Sequence, residues 1–291
     1  MVKTTCCMVL LSIVAFGCQS GRFIKEDEPQ PKASAATKAS APVPPPPAPK
    51  GPVGSVSGVV RVSGDAPPPL PQVATQIKPG ECLKAAAMYG TLFREGPGRA
   101  LADVLVAVTD YEGSVPSYTA PVTITAAGCA YNARTVALAK WQGLELKNKG
   151  PDAVTPQLVG SRAPALLVAL PGGSPVPLPF QGPGEYIMVD RSHPFAQVDV
   201  FVLNFPTFAV TGMDGAFMIE GIPAGDAMIS AYLPATGQKI QQPIKVAANQ
   251  VSEINLTIEF DVKVHGPRPK PELSDDKKVE PATEKPATEK H

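Results

Sequence analysis

Histidine and tryptophan are nearly absent: 291 residues include three His and one Trp, and aromatics make up 6%. So little imidazole leaves scant material for a histidine-based active site. A surplus of charge is missing too, since 26 basic residues balance 26 acidic ones. That balance argues against a nucleic-acid binder, which normally carries a basic patch and a high pI. Charged residues reach only 18%, below the roughly 25% of an average globular chain. No GxSxG, HExxH, P-loop or GxGxxG pattern occurs, and GSVSG at 54–58 has Val56 at its centre, so it is no nucleophile elbow. GPGR and GPGE read as turns, not phosphate cradles. What abounds is glycine and proline, 25 and 35 residues. Neither suits helix interiors, so a mainly helical protein is disfavoured.

The N-terminus reads MVKTTCCMVLLSIVAFGC. Lys3 gives a positive start, and the apolar run from Cys6 to Phe16 is too short to span a bilayer. From the residues alone, an ordinary secretory signal or a short buried helix competes with a lipoprotein signal. Val14-Ala15-Phe16-Gly17-Cys18 resembles the lipobox of bacterial lipoproteins, with polar residues starting directly after Cys18. The resemblance implies cleavage after residue 17, acylation of Cys18 and anchoring without a transmembrane helix. Gln19 stands where an Asp would retain such a protein at the inner membrane, so the expected destination is the outer membrane. Once Cys6, Cys7 and Cys18 are accounted for, Cys82 and Cys129 remain. In an oxidising compartment a disulfide is the simplest reading, two separately buried thiols the alternative. Such a bridge is worth roughly 4 kcal/mol in the chain-entropy model.

Residues 18–54 form a Pro/Ala-rich tether with no apolar periodicity, suited to extended polyproline II. Residues 262–291 form a charged tail with a repeated PATEK, expected to be disordered. Between them the pattern is strand after strand. Val56, Val60 and Val62 alternate with polar or small residues, as do Val104, Val106 and Val108, then Val122 and Ile124. Ile254, Leu256, Ile258 and Phe260 do the same, whereas Val198–Leu203 is apolar on both faces. Period-two alternation places one face of each strand on a core. Asp214-Gly215, between TFAVT and AFMIE, signals a hairpin. Only 82–93 suits a helical turn. The expected class is all-β, built of β-sandwiches.

Two stretches carry family resemblances. FAVTGMDGAFMIEGIPAGDAMISAYLP, at 208–234, resembles the carboxypeptidase regulatory-like domain, a transthyretin-like sandwich. Thr211, Asp214-Gly215, Phe217 and Ile222-Pro223-Ala224-Gly225 carry it, and GSVSGVVRVSG at 54–64 resembles that domain's opening strand. Residues 120–204 resemble the cupredoxin-like domains of bacterial methylamine-utilisation-type exported proteins. Tyr131, Gly143, Leu144, Leu146, Asn148 and Asp152 match the first half, and GEYIMVDRSHPFAQVDVFVLNF the second. The resemblances imply a signal peptide (1–17), the tether (18–54), a cupredoxin-like sandwich (55–204), a regulatory-like region (205–261, completed by strand 55–63) and the tail (262–291).

A blue-copper site needs two His, a Cys thiolate and a weak axial ligand. Aligned on the family, Asp190 stands at the Cys position and Ala196 at the Met position, while Thr155 and Gln157 occupy the first-histidine neighbourhood. Only His193 matches. Asp190 and His193 are thus expected to mark a vestigial metal site, at one end of the sandwich beside the 153–157 loop, with no cysteine or methionine to complete it. The expected function is that of an outer-membrane lipoprotein whose sandwich is a non-catalytic binding or scaffold module. It is not expected to be an enzyme or to hold a cofactor. Its expected partners are the membrane, through Cys18, and an envelope protein or glycan, with no nucleic acid. A copper-binding electron-transfer or metal-handling protein is one alternative, a carbohydrate-binding accessory another.

Cys18→Ala tests the anchor. The variant should persist as uncleaved precursor or appear as soluble product; fractionation and migration identical to wild type would remove the lipoprotein reading.

Overall fold

The computed structural model describes residues 51–269 save 79, 81, 83, 116–117 and 162–165. Cys18, the signal segment, the tether up to residue 50 and the tail from 270 lie outside the described residues. Among the described residues sixteen strands run in the order β1 (Val53–Gly64), β2 (Leu105–Thr109), β3 (Val122–Ala127), β4 (Ala130–Tyr131), β5 (Thr135–Ala139), β6 (Leu144–Asn148), β7 (Pro156–Val159) and β8 (Val176–Pro177). There follow β9 (Gly184–Asp190), β10 (His193–Leu203), β11 (Phe208–Val210), β12 (Ala216–Pro223), β13 (Gly225–Leu233), β14 (Gln238–Val246), β15 (Val251–Glu253) and β16 (Leu256–Phe260). Two short helices, α1 (Pro71–Ala74) and α2 (Ala85–Tyr89), lie between β1 and β2. The class is all-β.

The strands make two sandwiches with separate cores. In the first, β12-β1-β15, with β16 also on β1, faces the antiparallel sheet β11-β2-β13-β14. Val56, Val60, Val62, Val104, Val106, Val108, Ile229, Ile258 and Phe260 fill its core. In the second, β5-β10-β9-β7 faces β4-β3-β6-β8, around Ile124, Leu138, Leu146, Met188, Val198 and Val200. All of β3–β10 falls in sequence between β2 and β11, so the second sandwich is an insertion within the first.

That topology moves the expected boundary. The strand 55–63, assigned to complete the regulatory-like region, lies in β1, which pairs with β12; β2, assigned to 55–204, lies between β11 and β13. The first sandwich is therefore assembled from 53–64, 92–109 and 208–260. Alternating valines reveal a strand but not its partner, and this accounts for the difference. The Asp214-Gly215 turn also differs from expectation. It closes tightly, with Gly215 at φ +68, but β11 and β12 belong to different sheets. The turn carries the chain across the sandwich and makes no hairpin. Gly58 has a comparable constraint, since an added Cβ would collide with the Ile254 carbonyl, where the edge strand breaks between β15 and β16.

Residues assigned by composition to the tail are in part held. Arg268 donates to Asp199 and to Glu185, each at 2.7 Å, and to the Tyr232 hydroxyl at 2.9 Å. Asp199 and Phe201 thus turn one face of β10 toward β13, with Phe201 and Tyr232 edge-to-face at 5.7 Å. This second contact explains why β10 is apolar on both faces.

A buried carboxylate joins the two cores. Asp103, at φ +64, accepts both guanidinium hydrogen bonds of Arg94 at 2.7 Å and the Arg134 backbone N–H at 3.2 Å. Arg134 donates in turn to the carbonyls of Thr91 and Leu92 at 3.0 and 2.9 Å. Burial pushes the Arg134 pKa down, opposed by the charges of Asp103 and Asp199. On the other side, the Thr211 hydroxyl accepts from Val104 N–H and donates to the Leu101 carbonyl. Asp103→Ala should strand the Arg94 charge and lower the unfolding free energy by about 3–5 kcal/mol. Urea denaturation checks this, and a loss under about 1 kcal/mol would show that the joint carries little.

Candidate functional site

The Asp190–His193 pair sits where β9 turns into β10. Arg191 and Ser192 make the turn, and Asp190 and His193 face each other across it. Asp190 Oδ2 lies 2.8 Å from His193 Nδ1, and Oδ1 accepts the backbone N–H groups of Ser192 and Thr155 at 3.1 and 3.2 Å. The carboxylate is buried and occupied on both oxygens. Beyond His193 the β9–β10 register shifts before Gln197. The extra residues, Pro194-Phe195-Ala196, form a bulge that turns Phe195 and Ala196 inward. Phe195 meets the His193 ring edge-on at 5.7 Å.

Two loops complete this end of the sandwich. Asn148, at the end of β6, is consumed by backbone: its Nδ2 donates to the Asp152 and Ala169 carbonyls, and its Oδ1 accepts Gly150 N–H. It shapes the 148–154 loop, and both of its amide hydrogens are committed to backbone. The other loop is the β3–β4 hairpin, whose two turn residues, Gly128 and Cys129, both have positive φ, 60 and 56. Such turns favour Gly or Asn, and a cysteine there is uncommon. Cys129 is bonded to Cys82, with Cα atoms 5.0 Å apart and a sequence separation of 47. These loops enclose a cavity of about 50 Å³ lined by Cys129, Tyr131, Asn148, Asp190, His193 and Ala196 among others.

Asp190, His193, Ala196 and the 153–155 segment meet here, but the expectation that no cysteine joins them is overturned. One ligand atom each of Cys82, Cys129 and His193 lie within 4.8 Å of one another. Positions 82, 129 and 193 belong to a helix-bearing excursion, a hairpin turn and a strand end, so no local spacing could reveal the cluster. Tyr89 and Tyr131 were equally invisible as a pair. Tyr89, at the end of α2, accepts Tyr131 N–H on its hydroxyl at 3.1 Å. The Tyr131 hydroxyl, buried in the cavity wall, has no partner among the described residues. Burial, reinforced by the Asp190 charge, pushes the Tyr131 phenol far up.

No protein-family model matches the chain, and no curated protein matches it. Among solved structures, a Cu-containing nitrite reductase from Thermus scotoductus SA-01 aligns over 33% of this chain and 24% of its own, at 18% identity and a TM-score of 0.24. An amicyanin variant in its reduced state aligns over 33% of this chain and 99% of its own, at 17% identity and a TM-score of 0.26. The match thus spans about a quarter of the nitrite reductase chain. The residues present do not fit a blue-copper centre. Asp190 offers hard carboxylate oxygens that already share three hydrogen-bond partners, two on Oδ1 and one on Oδ2, and Ala196 offers no ligand atom.

Burial raises the Tyr89 pKa from 10.0 to about 12, against the opposing hydrogen bond from Tyr131. The neutral phenol is the form the fold favours. Its contribution is complete below pH 10 and is lost as pH rises toward about 12, because the unfolded chain then binds fewer protons. Tyr131 acts in the same direction. Tyr89→Phe should lower stability at pH 8 by about 1–3 kcal/mol, by leaving Tyr131 N–H unpaired, and should flatten the alkaline decline. Urea unfolding at a series of pH values measures both.

Proposed function

We propose that this protein is a lipid-anchored outer-membrane protein whose sandwiches act as a non-catalytic binding module, with the Cys129–His193 cavity at its binding end. The observation that carries the reading is the convergence of three loops, 126–131, 148–154 and 190–196, on one concavity cross-braced by a disulfide. A disulfide between sequence-distant cysteines fits an oxidising compartment outside the cytoplasm. Among the described residues, nothing in the cavity pairs a nucleophile with a base: Asp190 is occupied by hydrogen bonds, and the cysteines are bonded to each other.

Size sets the kind of partner. At about 50 Å³, the cavity is far below the roughly 300–1,000 Å³ of pockets that enclose a whole small molecule. It suits one projecting group of a larger partner, and an envelope protein is the reading adopted. A photoreactive residue at exposed Asp152, on the loop beside the cavity, should give one discrete adduct in intact cells. The same residue at exposed Asp226, on the first sandwich, should not. Adducts digested by protease support a protein partner. Adducts released only by muramidase would favour the glycan alternative, and equal labelling at both positions would refute a defined binding end.

A further inference from the structure

The Cys82–Cys129 bridge does more here than brace a loop, because an imidazole lies against it. We propose that reduction of this disulfide opens a metal site for a thiophilic d10 cation, Cu(I) or Zn(II), with Cys82, Cys129 and His193 as ligands. The inference rests on the reading of this cavity as a binding end and names what it binds in the reduced state. The ligand set is not the blue-copper one: both sulfurs come from the α2 approach and the β3–β4 turn, away from the β9–β10 turn that supplies His193.

Four observations converge. The three ligand atoms already lie within 4.8 Å of one another. Ligands around one such cation stand about 3.4–3.8 Å apart, so the two sulfurs must part from bonding distance to about 3.8 Å, and the imidazole nitrogen has at most about 1 Å to close. The histidine is held: Asp190 Oδ2 engages Nδ1 at 2.8 Å, which leaves Nε2 as the ring nitrogen for a ligand. This carboxylate–imidazole arrangement is how proteins fix the tautomer and orientation of a metal-binding histidine. Cys129 is kept in a left-handed conformation at φ 56, and strain of this kind collects at functional sites. Finally, the unpartnered Tyr131 hydroxyl, on a residue only 3% exposed, lines the same cavity. It offers a donor to a sulfur or to a water completing the coordination shell.

The redox step needs a reductant of the protein-dithiol class. One thiolate of that dithiol attacks the Cys129 sulfur, which is less buried than Cys82, and the Cys82 thiolate leaves and takes up a proton. The second thiol of the reductant then closes its own disulfide and releases Cys129. Two electrons pass from the dithiol to the bridge, and two thiols are gained. Binding of the cation displaces two protons, since the ligands are thiolates. In the oxidised protein both sulfurs are committed to each other, and the lone His193 holds such ions weakly. The site therefore exists only in the reduced state.

The test uses the full-length protein in detergent, oxidised or reduced. The reductant is a water-soluble phosphine, oxidised to its oxide as water supplies the oxygen and the two thiol protons, and removed before titration. Zn(II) alone and Cu(I) alone are titrated against a chromophoric chelator, with Cd(II) as a reporter of thiolate-to-metal absorption. Circular dichroism first checks that the reduced protein remains folded. One equivalent bound only after reduction, with thiolate absorption, is the expected result. Asp190→Asn, a change to a positioning residue, should weaken binding about 10–100-fold, and His193→Gln should weaken it further while leaving the disulfide intact. Equal binding by oxidised and reduced protein, no binding after reduction, loss of fold on reduction, or indifference to His193→Gln would each overturn the proposal. These readouts involve no envelope partner, so their failure leaves the cross-linking test of the binding module standing.

Discussion

The Asp103 carboxylate is the constraint on which the rest of the structure depends. The chain leaves the first sandwich after β1, contributes α1, α2 and Cys82 to the second, returns through Phe93 and Leu101, and then leaves again for β3–β10. Each crossing exposes polar backbone between two apolar cores, and burial makes every unpaired group costly. Asp103 gathers these demands into one place. It binds Arg94 from the returning segment and the Arg134 backbone from the inserted sandwich, while Arg134 covers the carbonyls of Thr91 and Leu92. Arg268 closes the same seam from the C-terminal side through Asp199. The seam is ionic and held by many hydrogen bonds, though Arg268 Nε has no partner among the described residues, and it also fixes how the excursion that bears Cys82 is presented to the second sandwich.

That presentation makes the candidate site. Cys82 precedes α2 by a few residues, and Tyr89 at the other end of α2 is tied to Tyr131 beside the hairpin turn. With the disulfide, the excursion is fastened to the β3–β4 hairpin at two points. The far wall is independent of it: the β9–β10 turn is set by Asp190, which satisfies Ser192 and Thr155 while steadying His193. One carboxylate thus builds the turn and orients the imidazole. The cavity is enclosed by short-range geometry on one side and by long-range crosslinks on the other, which is a rigid way to hold a small binding site.

Much of this was legible in the residues. The apolar alternations at 56–62 and 256–260 mark strands because their buried faces recur every second residue, and the valines at 104–108 mark β2, whose intervening residues are buried too. The Ala85–Met88 stretch marks α2. Asp190, His193 and Ala196 could be placed together because a turn keeps neighbours in sequence close in space. Two of the expectations that failed did so for a common reason. Asp214-Gly215 makes a turn of the expected sharpness, but whether its flanking strands pair depends on β1 and β2, which claim β12 and β11 first. Residues 262–269 look like tail by composition, yet Arg268 finds two carboxylates and a phenol on strands it does not adjoin in sequence.

By itself, then, the sequence determined the all-β class, the positions of most strands and turns, and the incompleteness of the copper ligand set, because each follows from local periodicity or from residue identity. Only the tertiary structure decided that the second sandwich interrupts the first, and that Cys82 and Cys129 end beside His193. Both depend on which distant segments share a core. That choice is made by summed burial and by the pairing of a few buried charges, and neither leaves a mark at any one position in the chain.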